Sequence, residues 1–340
     1  MSAINRSVES VAVLGSGGWG TALAVHLGRL SKDVRLWGRD SALVGEMLER
    51  RKNQEYLPDV AFPEDVRPTV SIEEALADVK YVVIAVPSHG VRALLRQAVR
   101  FMPRGVTFVS AAKGLEGGTL YRISEIIEQE VSRESTVAVL SGPSFAAEVA
   151  RGLPAAVCVA SRTPSTVADV QREFRSSYFR LYGSDDVVGV EIGGALKNVI
   201  AIAVGVADGL GLGSNATAAL ISRGLAEMSR LACALGGRRD TLSGLSGLGD
   251  LVLTCTGSLS RNRKVGFELG KGRQLGDVLS EMKMVAEGVR TTDVALALGE
   301  RCKVEMPIAL QMEEVLSGKR PPRDAVQELM DRPQRAEDDS

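Results

Sequence analysis

Histidine is nearly absent from this chain: His26 and His89 are the only two in 340 residues. A histidine-based triad or a histidine-rich metal centre is thereby all but excluded, and acid–base work falls to lysines and carboxylates. Cysteine is scarce as well. Cys158, Cys233, Cys255 and Cys302 are scattered, with no C-x-x-C pair and no Cys/His cluster. This argues against disulfides and structural zinc, leaves no expected metal, and points to a reducing cytosol. Neither sign of charge dominates. Lys+Arg 41 against Asp+Glu 42 leave a net charge of -1, which offers nothing to a nucleic acid. The N-terminus, MSAINRSVES, carries no apolar leader, so no signal peptide is expected. The longest apolar run, residues 199–207, falls far short of the ~20 residues that span a bilayer, and no membrane insertion is expected.

What is present is enough apolar residue (45%) for a large core and enough length for about two domains. The first half alternates strand-like and helix-like segments. VAVLG (11–15), DVRLWGR (33–39), VKYVVIAVP (79–87), TFVSAAKG (107–114), STVAVLSGP (135–143) and AAVCVAS (155–161) read as strands. TALAVHLGRL (21–30), SALVGEMLERRK (41–52, with Ser41 as a cap) and GVRALLRQAV (90–99) read as helices between them. Repeated βα units imply a Rossmann-like, doubly wound α/β domain with a parallel sheet covered on both faces. From Glu191 onward the pattern is helical, rich in Ala, Leu and Gly, with no strand. The expected division is residues 1–188 for the dinucleotide-binding domain and 189–332 for an all-α substrate domain. The boundary falls in SDDVVG, and a polar disordered tail is expected over 333–340.

Gly15-Ser16-Gly17-Gly18-Trp19-Gly20 follows the first strand and opens the first helix, the context a dinucleotide fingerprint requires. Gly15 serves the tight turn, Gly17 the approach of a pyrophosphate, and Gly20 the packing of helix on strand. The helix N-terminus offers N–H groups and positive dipole to the phosphates. The ribose selector belongs at the end of the second strand, where Gly38-Arg39-Asp40 stands. Arg39 suits a 2′-phosphate and Asp40 a 2′-hydroxyl. Asp40, one residue further on, is better placed to begin the next helix. NADP(H) is therefore the expected preference, with NAD(H) also usable.

Four further stretches carry chemistry. Lys113 ends an apolar strand in AAKGLE, where doubly wound sheets place ligands. Ser144, in SGPSF, suits either a helix cap or an anion site. Lys197 sits in GGALKNVIAIAVGVADGLG, followed by Asn198. A lysine in such surroundings holds its proton less tightly, which tunes it for general acid–base work. Asn198 reads equally well as a site group or as a satisfied core amide. Asp250, in LGDL, is an apolar-flanked carboxylate with Lys197 as a natural partner, although it also suits a helix cap. In SLSRNRK, Ser260 reads as an N-cap, leaving Arg261 and Asn262 at a helix N-terminus fit for a phosphate.

Together these stretches resemble the soluble glycerol-3-phosphate dehydrogenases of the bacterial type. The resemblance runs through GSGGWGTAL, VPSH, AAKGLE, SGPSFAAEVARGLP, LKNVIAI, GLGDLVLTCT, SRNRK, AEGVRT and EMPI, nearly the whole chain. It implies reversible reduction of dihydroxyacetone phosphate to sn-glycerol 3-phosphate with NAD(P)H, feeding glycerophospholipid synthesis. Lys197 would then be the proton donor in reduction and the acceptor in oxidation. Lys113, Gly142, Ser144, Lys197, Asp250, Ser260, Arg261 and Asn262 match the family's substrate positions. Gly18, Trp19, Arg39, Lys113, Ala146, Arg261, Val285 and Glu287 match its cofactor positions. Gly18 departs from the serine often found there, and position 39 varies. The family and the small-residue helices together suggest a homodimer. Two other readings stay open here: a related Rossmann dehydrogenase acting on another hydroxy acid or sugar phosphate, and a non-catalytic NAD(P) sensor.

Overall fold

The structure, a computed structural model, describes residues 9–131, 134–282, 285–334 and 336. The tail expected over 333–340 lies largely outside them. The chain begins as β1 (Ser10–Leu14), α1 (Gly18–Gly28), β2 (Asp33–Trp37) and α2 (Ser41–Arg50). A hairpin of β3 (Lys52–Asn53) and β4 (Leu57–Ala61) precedes β5 (Val66–Thr69) and α3 (Ile72–Leu76). Then come β6 (Tyr81–Ile84), α4 (Val91–Ala98), β7 (Thr107–Ser110), α5 (Ile123–Glu130) and β8 (Thr136–Ser141). The short α6 (Ala146–Arg151), β9 (Ala155–Ala160), α7 (Pro164–Phe174) and β10 (Phe179–Ser184) complete this unit.

The main sheet has the order β10-β9-β8-β7-β6-β1-β2-β5. Its strands are apolar at successive positions because both faces are covered. Val11 and Val13 enter one core with Leu23, Val44 and Phe174, while Ala12 and Leu14 enter the other with Leu76, Leu95 and Ile127. The chain crosses from one half of the sheet to the other between β1 and β6, and such a switch point opens a crevice at the strand C-termini. The sheet is not wholly parallel, as the alternation implied. β8 and β9 pair antiparallel, Val139 opposite Ala160. The six-residue α6 between them is too short to carry the chain back for a parallel return, so it re-enters along β8 in the opposite sense. The α2 cap also differs from expectation: Asp40, not Ser41, accepts from Ala42 N (2.9 Å) and Leu43 N (3.2 Å).

Among the described residues no strand follows Ser184. The second unit is α8 (Val187–Gly209), α9 (Gly213–Ala234), α10 (Arg239–Ser243), α11 (Asp250–Thr256), α12 (Arg261–Gly270), α13 (Leu275–Ser280), α14 (Glu287–Cys302), α15 (Pro307–Leu316) and α16 (Pro322–Met330). The helix α8 is long and apolar enough to cross a membrane by length and composition, and 94% of its most apolar window is buried inside the protein. Neighbours wrap it on every side, which explains an apolar pattern without an obvious polar face. Against α12 the two backbones touch. A methyl on Gly270 would meet Val206 O at 2.5 Å, and one on Gly205 would meet Phe267 N at 2.8 Å. That contact fixes the start of α12 beside Lys197 and Asn198. The other end of α8 is tied to the first unit: Glu191 accepts from Arg122 Nη1 (2.6 Å), Ser124 Oγ (2.6 Å) and Ser124 N (2.8 Å).

Candidate active site

The cleft between the two units begins at the glycine loop. Gly15 has φ +124°, a region side chains avoid, and a methyl there would lie 2.6 Å from Ala85 O. A methyl on Gly20 would fall inside the envelope of Gly15 O, so only glycine lets the helix follow the strand this closely. Beside Gly17 nothing lies within 4 Å of where a methyl would stand; the space in front of the helix is open. No side chain caps α1 and no acidic residue occupies its first turn, so its dipole faces that space unneutralised. Gly18 and Trp19 form the same half-buried turn, and Trp19 Nε1 is buried without a hydrogen-bond partner. Two further bonds shape the loop from behind: Asn53 Nδ2 donates to Ser16 O and to Thr21 Oγ1, both at 2.8 Å. This cradle fits the pyrophosphate of a dinucleotide.

Arg39 is exposed directly after β2, while the Asp40 carboxylate is spent as the α2 cap. His89 stands nearby in the turn after β6. Burial lowers its pKa, Arg290 and Arg39 lower it further, and Glu287 opposes them. Glu287 opens α14 and reaches across the cleft, accepting from Ser88 Oγ (2.7 Å) and Ser88 N (3.2 Å). Ala146 opens α6, half-buried. Val285 is exposed, and its carbonyl accepts from Arg261 Nη1 at 2.9 Å.

Deeper in the cleft three charges converge. Asp250, 1% exposed, accepts from Lys197 Nζ through Oδ1 at 2.5 Å and from Lys113 Nζ through Oδ2 at 2.7 Å. It begins α11, immediately after a π-helical segment, Leu245–Gly249, a distortion that often marks functional sites. Its side chain therefore bridges two lysines rather than capping its helix. Lys113 also donates to Gly142 O (2.9 Å) and approaches Ser144 Oγ at 3.4 Å. Ser144 donates to Gly142 O at 2.9 Å and does not cap α6, whose N-cap is Phe145. Lys197 donates once more, to Thr254 Oγ1 at 2.8 Å. The Thr254 hydroxyl hydrogen is already committed to Asp250 O at 2.6 Å, so this oxygen can only accept. An ammonium has three donors. Two are used by these partners, and the third has none among the described residues.

Electrostatics sharpen the picture. Burial pulls the Lys197 ammonium down to about 8, with Lys113 adding to the effect and Asp250 resisting it. Burial alone would raise the Asp250 carboxyl, but the two ammoniums outweigh it and hold the group below its ordinary range. Two lysines share one carboxylate, so the pocket keeps net positive charge. Ser260 caps α12 by accepting from Arg263 N at 3.2 Å. The N–H groups of Arg261 and Asn262 precede that bonded turn and have no intrahelical partner. The Asn262 side chain has a second duty: it donates to Asn198 Oδ1 (2.9 Å) and accepts from Gly288 N (3.0 Å), tying α8, α12 and α14 together. Asn198 is thus bonded as well as adjacent to Lys197.

Hydrogen bonds link Lys113, Gly142, Ser144, Lys197 and Asp250 directly, and Asn262, next to Ser260 and Arg261 at the start of α12, joins them through Asn198, while Arg39 lies apart near His89. Sequence reasoning missed Thr254, although its position four residues after Asp250 on one helix face carried the signal. It also left Ser88 and Arg290 unassigned. Among the described residues no group of three or more His, Cys, Asp or Glu is gathered as metal ligands.

Comparison with known proteins follows the same division. Residues 10–167 match the family model for the NAD-dependent glycerol-3-phosphate dehydrogenase N-terminus, and residues 186–327 match that for its C-terminus. The chain is similar to glycerol-3-phosphate dehydrogenase [NAD(P)+] of Geobacter sp. (strain M21), 49% identical over 97% of this chain and 99% of the relative. It is 50% identical to the protein of the same name from Koribacter versatilis, over 97% and 99%. A crystal structure of glycerol-3-phosphate dehydrogenase from Coxiella burnetii superposes with a TM-score of 0.92 at 41% identity, covering 95% of this chain and 99% of that one. A ketopantoate reductase from Ralstonia eutropha, at 13% identity and a TM-score of 0.60, shares the fold alone.

Proposed function

Since the chain belongs to the NAD-dependent glycerol-3-phosphate dehydrogenase family, we propose that its cleft reduces dihydroxyacetone phosphate to sn-glycerol 3-phosphate, and reverses the reaction, with Lys197 moving the proton. The observation that carries this reading is the third N–H of Lys197, uncommitted among the described residues, in a buried, net-positive setting. Binding of NAD or NADP follows from the family, and the glycine loop, Arg39, Ala146, Arg261, Val285 and Glu287 would hold the dinucleotide. When bound, the nicotinamide supplies or takes up the hydride. The remaining work falls to the protein. Lys197 gives its proton to the carbonyl oxygen as that oxygen gains charge, and its positive charge stabilises the developing alkoxide. Asp250 holds the ammonium and Lys113 in register. Ser260, Arg261 and Asn262 take the substrate phosphate, and remote binding energy there orients the carbonyl. Mixing the protein with dihydroxyacetone phosphate and following reduced nicotinamide absorbance tests the reading; no loss of absorbance with either cofactor refutes it. The sensor alternative fits poorly with a site that retains both Lys197 and Asp250.

A pH dependence follows. Reduction requires the Lys197 ammonium and oxidation requires the neutral amine. With Lys197 pulled down to about 8, kcat for reduction should fall as pH rises through that value, while kcat for oxidation should rise through the same range. A reduction rate that stays flat from about pH 7 to about pH 9.5 would remove Lys197 from the proton path.

The cofactor preference is NADPH, with NADH still used. Supporting it, the Asp40 carboxylate is turned to the α2 N-terminus as its cap, where the helix dipole offsets its charge, and Arg39 is exposed at the right strand end. A guanidinium pairs bidentately with such a phosphate. Arg39→Ala should raise KM for NADPH at least several-fold and leave NADH nearly unchanged; a wild-type enzyme that favours NADH in kcat/KM would instead assign selection elsewhere. A role in glycerophospholipid synthesis follows from the product. Cytoplasmic location accords with four free cysteines. A homodimer is supported by the family and by α9, whose small-residue first half is largely exposed.

A further inference from the structure

Gly193 and Gly194 stand four and three residues before Lys197 on α8. Side chains on a helix lean toward its N-terminus, so the Lys197 stem overlies the turn containing this pair. Glycine is the poorest helix former after proline, and two in succession inside a buried helix call for a compensating reason. Their surroundings supply one. A methyl on Gly193 would come 2.6 Å from Ser246 O, in the π-helical segment that ends at Asp250. A methyl on Gly194 would come 2.5 Å from Ser141 Oγ, at the end of β8, with Lys113 Cγ 3.8 Å away. The two bare positions thus let α8 close at once on the segment holding Asp250 and on the strand end beside Lys113. Asp250 reaches both lysine nitrogens across that junction. Ser141 Oγ is buried without a hydrogen-bond partner, so it contributes packing and no bond.

We propose that Gly193 is a positioning residue, whose missing methyl sets the depth at which Lys197 meets Asp250. The inference rests on Lys197 as the proton carrier and adds what places it. The test uses the full-length enzyme and the variants G194A, S141A, G194A/S141A and G193A. In G194A the unbonded Ser141 hydroxyl can turn aside from the new methyl, whereas in G193A the methyl meets the fixed Ser246 carbonyl and pushes α8 off the segment holding Asp250. Displacements of this size cost catalysis more than folding, so kcat of G193A should fall roughly tenfold or more. KM for the cofactor should stay within about twofold, since the glycine loop is untouched. The pH limb belonging to Lys197 should move downward, because the carboxylate supporting the ammonium recedes while the lysine stays buried. S141A loses no hydrogen bond and should behave as wild type. In the double variant the closest atoms to the methyl are the Cβ of residue 141 at 3.6 Å and Lys113 Cγ at 3.8 Å, ordinary contacts, so G194A and G194A/S141A should both keep kcat within about twofold of wild type. G193A faces a backbone carbonyl, and its loss should persist whether position 141 is serine or alanine.

A G193A enzyme with wild-type kcat and pH profile overturns the proposal, as does a G194A loss as large as that of G193A. A G193A chain that does not fold overturns it too, because the missing methyl then serves folding rather than the depth of Lys197. An active Lys197→Ala enzyme would strike Lys197 as the proton carrier, on which this role rests, whereas an inactive one beside an unimpaired G193A sinks only the positioning role.

Discussion

Replacing Lys197 with alanine should lower kcat by at least the ~10²-fold typical of losing a general acid, with cofactor binding nearly unchanged. The geometry indicates why the loss should be catalytic rather than structural. Removing one partner of a buried ion pair usually strands the other charge, at a cost of roughly 3–5 kcal/mol. Here Asp250 keeps Lys113 at 2.7 Å, so its carboxylate remains compensated. Thr254 keeps its bond to Asp250 O and becomes no orphan. The variant should fold, bind the dinucleotide in the first unit, and fail at the proton. Steady-state kcat alongside a titration of cofactor binding checks both halves. Retention of most of the wild-type kcat would return Lys197 to a packing role and leave the proton to another group.

The second large effect is expected at Arg261. Its Nη1 donates to Val285 O, which steadies the guanidinium at the start of α12, and its other donors have no hydrogen-bond partner among the described residues. A charge-assisted hydrogen bond contributes roughly 1.5–3 kcal/mol. Arg261→Ala should therefore reduce kcat/KM for dihydroxyacetone phosphate by about 10- to 150-fold, at about 1.4 kcal/mol per tenfold. Dihydroxyacetone, which lacks the phosphate, should lose far less of its small residual rate. The comparison matters because Arg261 also lies beside Val285 and Glu287, in the region read as holding the cofactor. Equal losses with both substrates would place Arg261 on the cofactor rather than on the phosphate.

Much of this site was legible in one dimension because local rules govern its pieces. The glycine loop follows from backbone sterics: only glycine tolerates φ +124° at Gly15 or the packing at Gly20. Ser260 as a cap follows from the preference of a hydroxyl for the first free N–H groups of a helix. Lys197 drew notice through its apolar neighbours, and its lowered pKa is the consequence of the same burial. The switch from alternating to all-helical pattern near residue 188 corresponds to the step from β10 to α8.

Other features depended on which segments meet and on where each element begins and ends, which the pattern alone did not fix. That Asp250 serves two lysines at once is set by β7, α8 and α11 meeting at one point, across separations of 137 and 53 residues. That Ser144 bonds Gly142 O instead of capping α6 depends on the local path of the chain after β8. The antiparallel β9 arose because α6 is too short for a crossover, a matter of length rather than strand propensity. Asp40 took the cap that Ser41 was expected to hold, since the helix began one residue earlier than the pattern implied. The chemistry of each residue was written in the chain. Which of them touch was decided by packing, through α8, whose glycines let α12 and the π-helical segment approach closely enough for Lys197 to meet Asp250 and for Asn198 beside it to bond Asn262.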